Sequence, residues 1–120
     1  MFSNTLSVVI GSDAARVLTR INQDSFGSQY RLATATEITE ILIRNSTGRE
    51  NGFVYDRHNI ELRHTQYAPV GGTTPERHYV ASSTFKTRRT GGDPARLSDL
   101  VGALVTQVTA LKAGMVQGES

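Results

Sequence analysis

The chain has 120 residues, of which 38% are apolar and 20% charged, with a formal net charge of +2 and no cysteine. This composition excludes a disordered chain, and the lack of cysteine excludes disulfides and thiolate metal sites. The length suits a single domain over residues 1–120 that buries only about two-thirds of its unfolded surface alone, so we expect a partner subunit.

No apolar run approaches the roughly 20 residues needed to span a bilayer, so we expect no membrane partner. The first five residues, Met-Phe-Ser-Asn-Thr, lack the basic start and apolar core of a signal peptide. We therefore expect a chain that is not exported and that folds in a reducing cytosol.

Residues 1–22 show the pattern of a β-hairpin. Leu6, Val8 and Ile10 alternate along the first arm, and Gly11-Ser12-Asp13 supplies a turn. A helix over Asp13–Asn22, capped by Ser12 or Asp13, is the competing interpretation. The β-branched residues of the second arm favour a strand.

Residues 29–89 predict the main antiparallel sheet, which brings the fold to about five strands. A loop at Asp24–Ser28 comes first. Tyr30–Ala35 and Glu37–Asn45 follow as two strands or as one bent strand. Two long strands complete the sheet, Phe53–Tyr67 and Arg77–Thr87. The polar segment Ser46–Gly52 ends in Asn-Gly, a strong hairpin signal.

The last two strands concentrate positive charge. Residues 57–89 hold six Arg and Lys against two Glu. Alternation places Ile60, Leu62 and His64 on one face of the first long strand and the polar residues on the other. In the second long strand, Tyr79 falls on the covered face, although a shift of one residue inverts the assignment.

Residues 93–114 change to helical periodicity. Asp93 is a suitable N-cap, Pro94 suits the first helical position, and Gly114 is a plausible C-cap. The apolar stripe is wide, so it could cross the sheet of a second subunit; its members are Leu97, Leu100, Val101, Leu104, Val105 and Val108.

Nothing in the sequence predicts catalysis or a cofactor. His58 and His64 share one side of a strand but lie about 20 Å apart, too far to hold one metal. No nucleophile elbow, phosphate-binding loop or zinc-protease motif is present. We expect no enzyme activity, no metal and no cofactor.

The order of elements resembles the coat proteins of the small single-stranded RNA bacteriophages, the levivirus group. The resemblance rests on the two long strands joined through Pro69-Val70-Gly71-Gly72 to Pro75. It rests also on the run Thr84–Thr87 that leads to Asp93-Pro94 and the helix. It covers nearly the whole chain.

This resemblance implies an α+β fold in which two chains pair edge to edge into one continuous sheet, with helices packed across the partner. It implies an icosahedral T=3 shell around the phage RNA, formed in the bacterial host cytoplasm, and a loop at the symmetry axes. That loop would comprise Pro69, Val70, Gly71, Gly72, Thr73, Thr74 and Pro75. Coat proteins of this group usually have a second, shorter helix. The resemblance therefore implies either that the terminal helix here is broken near Thr106–Thr109 or that this chain ends sooner than most of the group.

The resemblance also implies binding of an RNA stem-loop that represses translation and signals packaging. The RNA-facing residues would be Arg44, Arg57, Asn59, Glu61, Arg63, Tyr79, Ser82, Thr84 and Lys86. The position of Tyr79 conflicts with the alternation, which puts it on the covered face.

Two other functions remain open. The chain could be a dimeric β-sheet RNA-binding repressor that never builds a shell, or a small enzyme or ligand-binding protein that uses the open sheet as a pocket wall. The glycine-containing loop and the sparsely charged helix favour assembly over a regulator.

Overall fold

A computed structural model describes residues 3–24 and 26–118 of the chain. Ser25, within the predicted loop, lies outside the described residues. The strands are β1 (Thr5–Val8), β2 (Arg16–Asp24), β3 (Gly27–Ala33), β4 (Glu37–Glu50), β5 (Phe53–Gln66) and β6 (Arg77–Arg88), followed by the helix α1 (Pro94–Val116).

Each strand pairs with the next, so the sheet has the order β1-β2-β3-β4-β5-β6. The predicted α+β fold, an antiparallel sheet followed by a C-terminal helix, is confirmed. The N-terminal hairpin is part of the same sheet, because β2 pairs antiparallel with β3 as well as with β1.

The chain divides into two compact units. The first unit comprises the described residues up to 46 together with 58–84, and the second comprises 47–57 with the described residues from 85 onward. The ends of β4 and β5 that flank their shared turn, the end of β6 and all of α1 thus belong to the second unit.

The first unit contains the buried core. Leu18 and Tyr30 are fully buried and Ile41 nearly so, and apolar side chains from four strands pack around them. Tyr30 lies opposite Ile41 in the register of β3 and β4, and its hydroxyl donates to the Ser3 carbonyl oxygen at 2.7 Å. Side chains on one face of adjacent strands therefore form this core.

The strand interpretation of the second hairpin arm is correct, since β2 occupies most of the segment that could have been a helix. The open question over Tyr30–Asn45 is also settled, because β3 and β4 are separate strands in antiparallel register. The Thr34 amide donates to the Glu37 carbonyl oxygen at 2.8 Å and closes the turn between them.

The turn predicted at Ser46–Gly52 is much shorter. Residues 46–50 continue β4, and only Asn51 and Gly52 form the turn, with φ angles of 50° and 81°. Both angles lie in the left-handed region, which Asn and Gly tolerate in a two-residue hairpin. The polar composition of 46–50 suggested a loop, but pairing with β5 outweighs that local preference.

Helix α1 is one unbroken helix of 23 residues, so a break near 106–109 is not observed. Asp93 caps it as predicted: its carboxylate accepts from the Ala95 amide at 3.0 Å, and Pro94 takes the first position. The C-cap is Gln117 rather than the predicted Gly114. No helix residue is buried.

By length and composition alone, α1 could cross a membrane. The expectation that no apolar run is long enough missed this helix, in which Thr106, Gln107 and Thr109 interrupt the apolar residues. Most of its apolar side chains are nonetheless exposed.

Candidate nucleic-acid interface

Side-chain contacts fix the two faces of β4 and β5 in the first unit. Thr39 Oγ1 lies 3.0 Å from His64 Nδ1, and Asn45 Oδ1 lies 2.8 Å from His58 Nδ1. Because successive side chains alternate between faces, the opposite face carries the polar residues predicted to meet RNA. In this unit they are Arg44, Asn59, Glu61, Arg63, Ser82 and Thr84.

Several of these polar groups already have partners. Asn59 Nδ2 donates to Thr84 Oγ1 and to the Ser83 carbonyl oxygen, each at 3.0 Å. Arg63 Nε donates to Glu61 Oε2 at 2.7 Å. Arg44 is exposed at the rim of a small polar depression next to Asp24. The face is therefore hydrogen-bonding and only moderately cationic.

Tyr79 lies on the other face. Its ring stacks on His64, with centroids 6.2 Å apart and an interplanar angle of 19°, and it is about half exposed. The alternation along β6 predicted the covered face for Tyr79; the ring does lie beside His64, but it is half exposed rather than covered. The structure does not bring Tyr79 together with Asn59, Arg63 and Thr84, and its role in binding RNA stays a prediction.

Arg57 and Lys86, the remaining predicted residues, meet in the second unit around one carboxylate. Arg57 Nη2 and Lys86 Nζ lie 2.9 Å and 3.1 Å from Glu50 Oε1. The hydrogen bond from Lys86, with the charges of Lys86 and Arg57, lowers the pKa of the Glu50 carboxyl. A Cβ at Gly48 would lie 2.5 Å from Arg57 Cζ, so the glycine leaves room for this side chain.

Sequence reasoning missed a neighbouring group of aromatic and cationic side chains. Arg88 lies over the Phe53 ring with its Cζ 3.8 Å from the centroid, and its Nε donates to the Tyr55 hydroxyl at 3.3 Å. Lys86 Nζ lies 5.7 Å from the centroid of Tyr55. The alternation of Phe53, Tyr55 and Arg57 along β5 was the signal that could have revealed it.

The histidines are dispersed among separate contacts. His58 pairs with Asn45, His64 with Thr39, and His78 with Thr65 at 3.2 Å. Across residues 3–24 and 26–118, no three His, Asp or Glu side chains converge in a way that could hold a metal ion.

A second polar network is structural in character. Arg16 donates to Glu37 at 2.8 Å, and His64 Nε2 lies 3.6 Å from the same carboxylate. The hydrogen bond from Arg16 lowers the pKa of Glu37. These groups lie on the core side of the first unit and fix β2 to β4.

The connection between β5 and β6 contains the predicted symmetry-axis residues 69–75. Gly71 has a φ of 75°, which favours glycine, and the Gly72 amide donates to the Pro69 carbonyl oxygen at 3.1 Å. Val70 between them is fully exposed. The loop thus presents an apolar side chain outward from a tight turn.

The predicted dimer helix residues form an uncovered apolar surface. Leu100, Leu104, Val105 and Val108 are 42–65% exposed, and Leu97 and Val101 are only partly covered. Exposed apolar patches on a folded protein are typical of interaction sites.

Comparison with known proteins identifies the chain's family. A family model described as "Phage phiCb5, coat protein" matches residues 3–88, well over half of the 120 residues. The chain belongs to the phage phiCb5 coat protein family. This coat protein is therefore a structural, non-enzymatic component of the virion that self-assembles into a shell. No curated protein matches the coat protein. Helix α1 lies beyond the matched residues.

Proposed function

We propose that the chain is the coat protein of a levivirus-like RNA phage, which forms interlocked homodimers and closes into an icosahedral T=3 shell around single-stranded RNA in the host cytoplasm. We further propose that the dimer binds an RNA stem-loop as translational repressor and packaging signal. The main observation that supports the dimer is the exposed apolar face of α1. Membership of a coat protein family supports it as well.

The helix argues for a second copy as its cover. Burying one Leu or Val side chain contributes about 1.5–3 kcal/mol, so leaving Leu100, Leu104 and Val108 exposed forgoes several kcal/mol. The first unit offers an apolar groove of about 440 Å³ with Leu62, His64, Tyr79 and Val80 in its lining. The helix of a partner copy matches that lining in chemistry.

The free edge of the sheet supports the same dimer. Strand β6 is 12 residues long and ends the strand order, so one side of its backbone has no strand partner in the described chain. Long free edges pair readily with another strand. Pairing of β6 with its copy would extend two sheets into one continuous sheet.

RNA binding is supported by polar groups on both units. Phosphates are attracted by Arg and Lys, and unpaired bases are recognised by hydrogen bonds and stacking. Arg44, Asn59 and Arg63 supply such groups on the first unit, and Arg57 and Lys86 on the second. Residues 69–75 would form the contacts around the symmetry axes.

The test is expression of the full chain in bacteria, followed by sizing and electron microscopy with and without nuclease. Uniform shells that protect RNA from nuclease are expected. Empty shells would overturn the packaging of RNA but keep the coat assignment. A stable monomer without nucleic acid would overturn both the dimer and the RNA proposal.

The second candidate function is a dimeric RNA-binding repressor that does not assemble. Its sole support is the polar strand face. A repressor would use this face to bind RNA and would not need the assembly contacts of residues 69–75. A discrete RNA-binding dimer of about twice the 13.1 kDa chain, with no shell at any RNA concentration, would favour it.

A further inference from the structure

We propose that Phe53, Tyr55 and Arg88 form a stacking site for an unpaired nucleobase of single-stranded RNA. This inference rests on the proposed RNA-binding function and adds to it a base-recognition site. None of these three residues belongs to the RNA-facing set predicted from the sequence.

The geometry is that of a prepared planar surface. The Arg88 guanidinium lies 3.8 Å from the Phe53 centroid, the distance of a stacked pair, and its Nε is bound to the Tyr55 hydroxyl at 3.3 Å. These two contacts restrict the rotation of the guanidinium plane. Phe53 remains 47% exposed even with Arg88 over it, so aromatic surface is still accessible to a ligand.

The charges around this surface distinguish Arg88 from its neighbours. Arg57 and Lys86 are bound to Glu50, and Arg89 to Asp56 at 2.9 Å. Among the described residues, Arg88 contacts aromatic groups and no carboxylate. A cation without a carboxylate partner, held over an aromatic ring, attracts an anionic ligand that also has a planar face.

Single-stranded RNA is the polymer that combines these two properties. Its unpaired bases stack on aromatic rings and on guanidinium planes, while its phosphates meet nearby cations. Lys86 Nζ lies 5.7 Å from the Tyr55 centroid and is a nearby cation that could contact a phosphate in place of Glu50. In a duplex the bases stay stacked on one another and their faces are not accessible.

The test measures binding of two fluorescent probes by anisotropy: a 12-nucleotide oligoadenylate and an abasic ribose-phosphate oligomer of equal length. Phe53→Leu keeps an apolar side chain but removes the ring. We expect it to weaken oligoadenylate binding roughly 5- to 150-fold, the effect of one stacked base, and to leave the abasic oligomer unchanged.

Two further variants keep the test decisive if Phe53→Leu folds poorly. Arg88→Lys preserves the charge but removes the planar group, and we expect a smaller loss confined to oligoadenylate. Two control variants accompany them. Phe85→Leu deletes a ring on the opposite side of β6, and Arg89→Lys changes the neighbouring cation that is paired with Asp56. Neither control should change either affinity.

The outcomes separate this site from the broader function. If the unaltered protein binds oligoadenylate and both Phe53→Leu and Arg88→Lys bind it equally well, the stacking site is overturned while RNA binding stands. Equal losses on both probes would also overturn it, because they would indicate a purely electrostatic effect. If the unaltered protein binds neither probe, the RNA-binding proposal itself fails.

Discussion

The two units of this coat protein use their side chains in opposite ways. In the first unit, Leu18, Tyr30 and Thr39 are almost completely buried, and its Arg16–Glu37 pair holds two strands together. In the second unit, no residue of α1 is buried, and the contacts of Glu50 with Arg57 and Lys86 lie at the surface. The first unit therefore has a buried core of its own, whereas no residue of α1 in the second unit is buried.

The largest effect expected from this difference concerns the helix. Leu104→Asp removes an apolar side chain and adds a charge where we propose that a partner copy packs. We expect the dissociation constant of the dimer to increase about 10- to 100-fold for each altered subunit. Light scattering after size exclusion measures it, and Thr106→Asp, on the side of α1 opposite Leu104, is the matched control.

This helix prediction can fail in two informative ways. A dimer unaffected by Leu104→Asp would show that α1 is not the interface. Recovery of the unaltered chain in the membrane fraction, with release by Leu104→Asp, would show that a lipid bilayer covers the helix instead.

A change in the core of the first unit should act on stability. Leu18→Ala removes a fully buried side chain, and we expect unfolding in urea to become easier by about 2–5 kcal/mol. Leu111 in the second unit is 56% exposed, so Leu111→Ala should lower the free energy of unfolding of the dissociated subunit much less. Equal losses would contradict the contrast between the buried core of the first unit and the exposed helix of the second.

Acid should weaken the first unit through Glu37. Its pKa is lowered by the hydrogen bond from Arg16, so the stabilisation is complete above the ordinary glutamate pKa and disappears as the pH falls through the lowered value. We expect Glu37→Gln to destabilise the protein at neutral pH but not at the acid end of a urea-unfolding series. The exposed Glu76→Gln serves as control, and a pH-independent difference would exclude this linkage.

The smallest effect should come from Glu50→Gln in the second unit. Removing this carboxylate releases Arg57 and Lys86 toward phosphate, and an exposed ion pair is a weak competitor in water. We therefore expect affinity for single-stranded RNA to rise by up to about fivefold at neutral pH. Weaker binding would show that Glu50 positions the two cations rather than competing for them.

Local sequence signals predicted much of the fold. Asp93-Pro94 marked the start of α1, Asn51-Gly52 marked the β4–β5 turn, and alternation assigned the faces of β5 and β6. These signals work because capping, positive φ angles and side-chain alternation depend on neighbouring residues alone. The extension of β4 through residues 46–50 was missed because pairing with β5 holds a polar segment in a strand.

The candidate site was less predictable. The sequence determined that the last two strands carry a cationic excess and that the final helix has an apolar stripe. Only the tertiary structure brought Lys86 to Glu50, 36 positions away, and laid Arg88 on Phe53. Such contacts depend on strand register, which pairs residues distant along the chain, so no local pattern contains them.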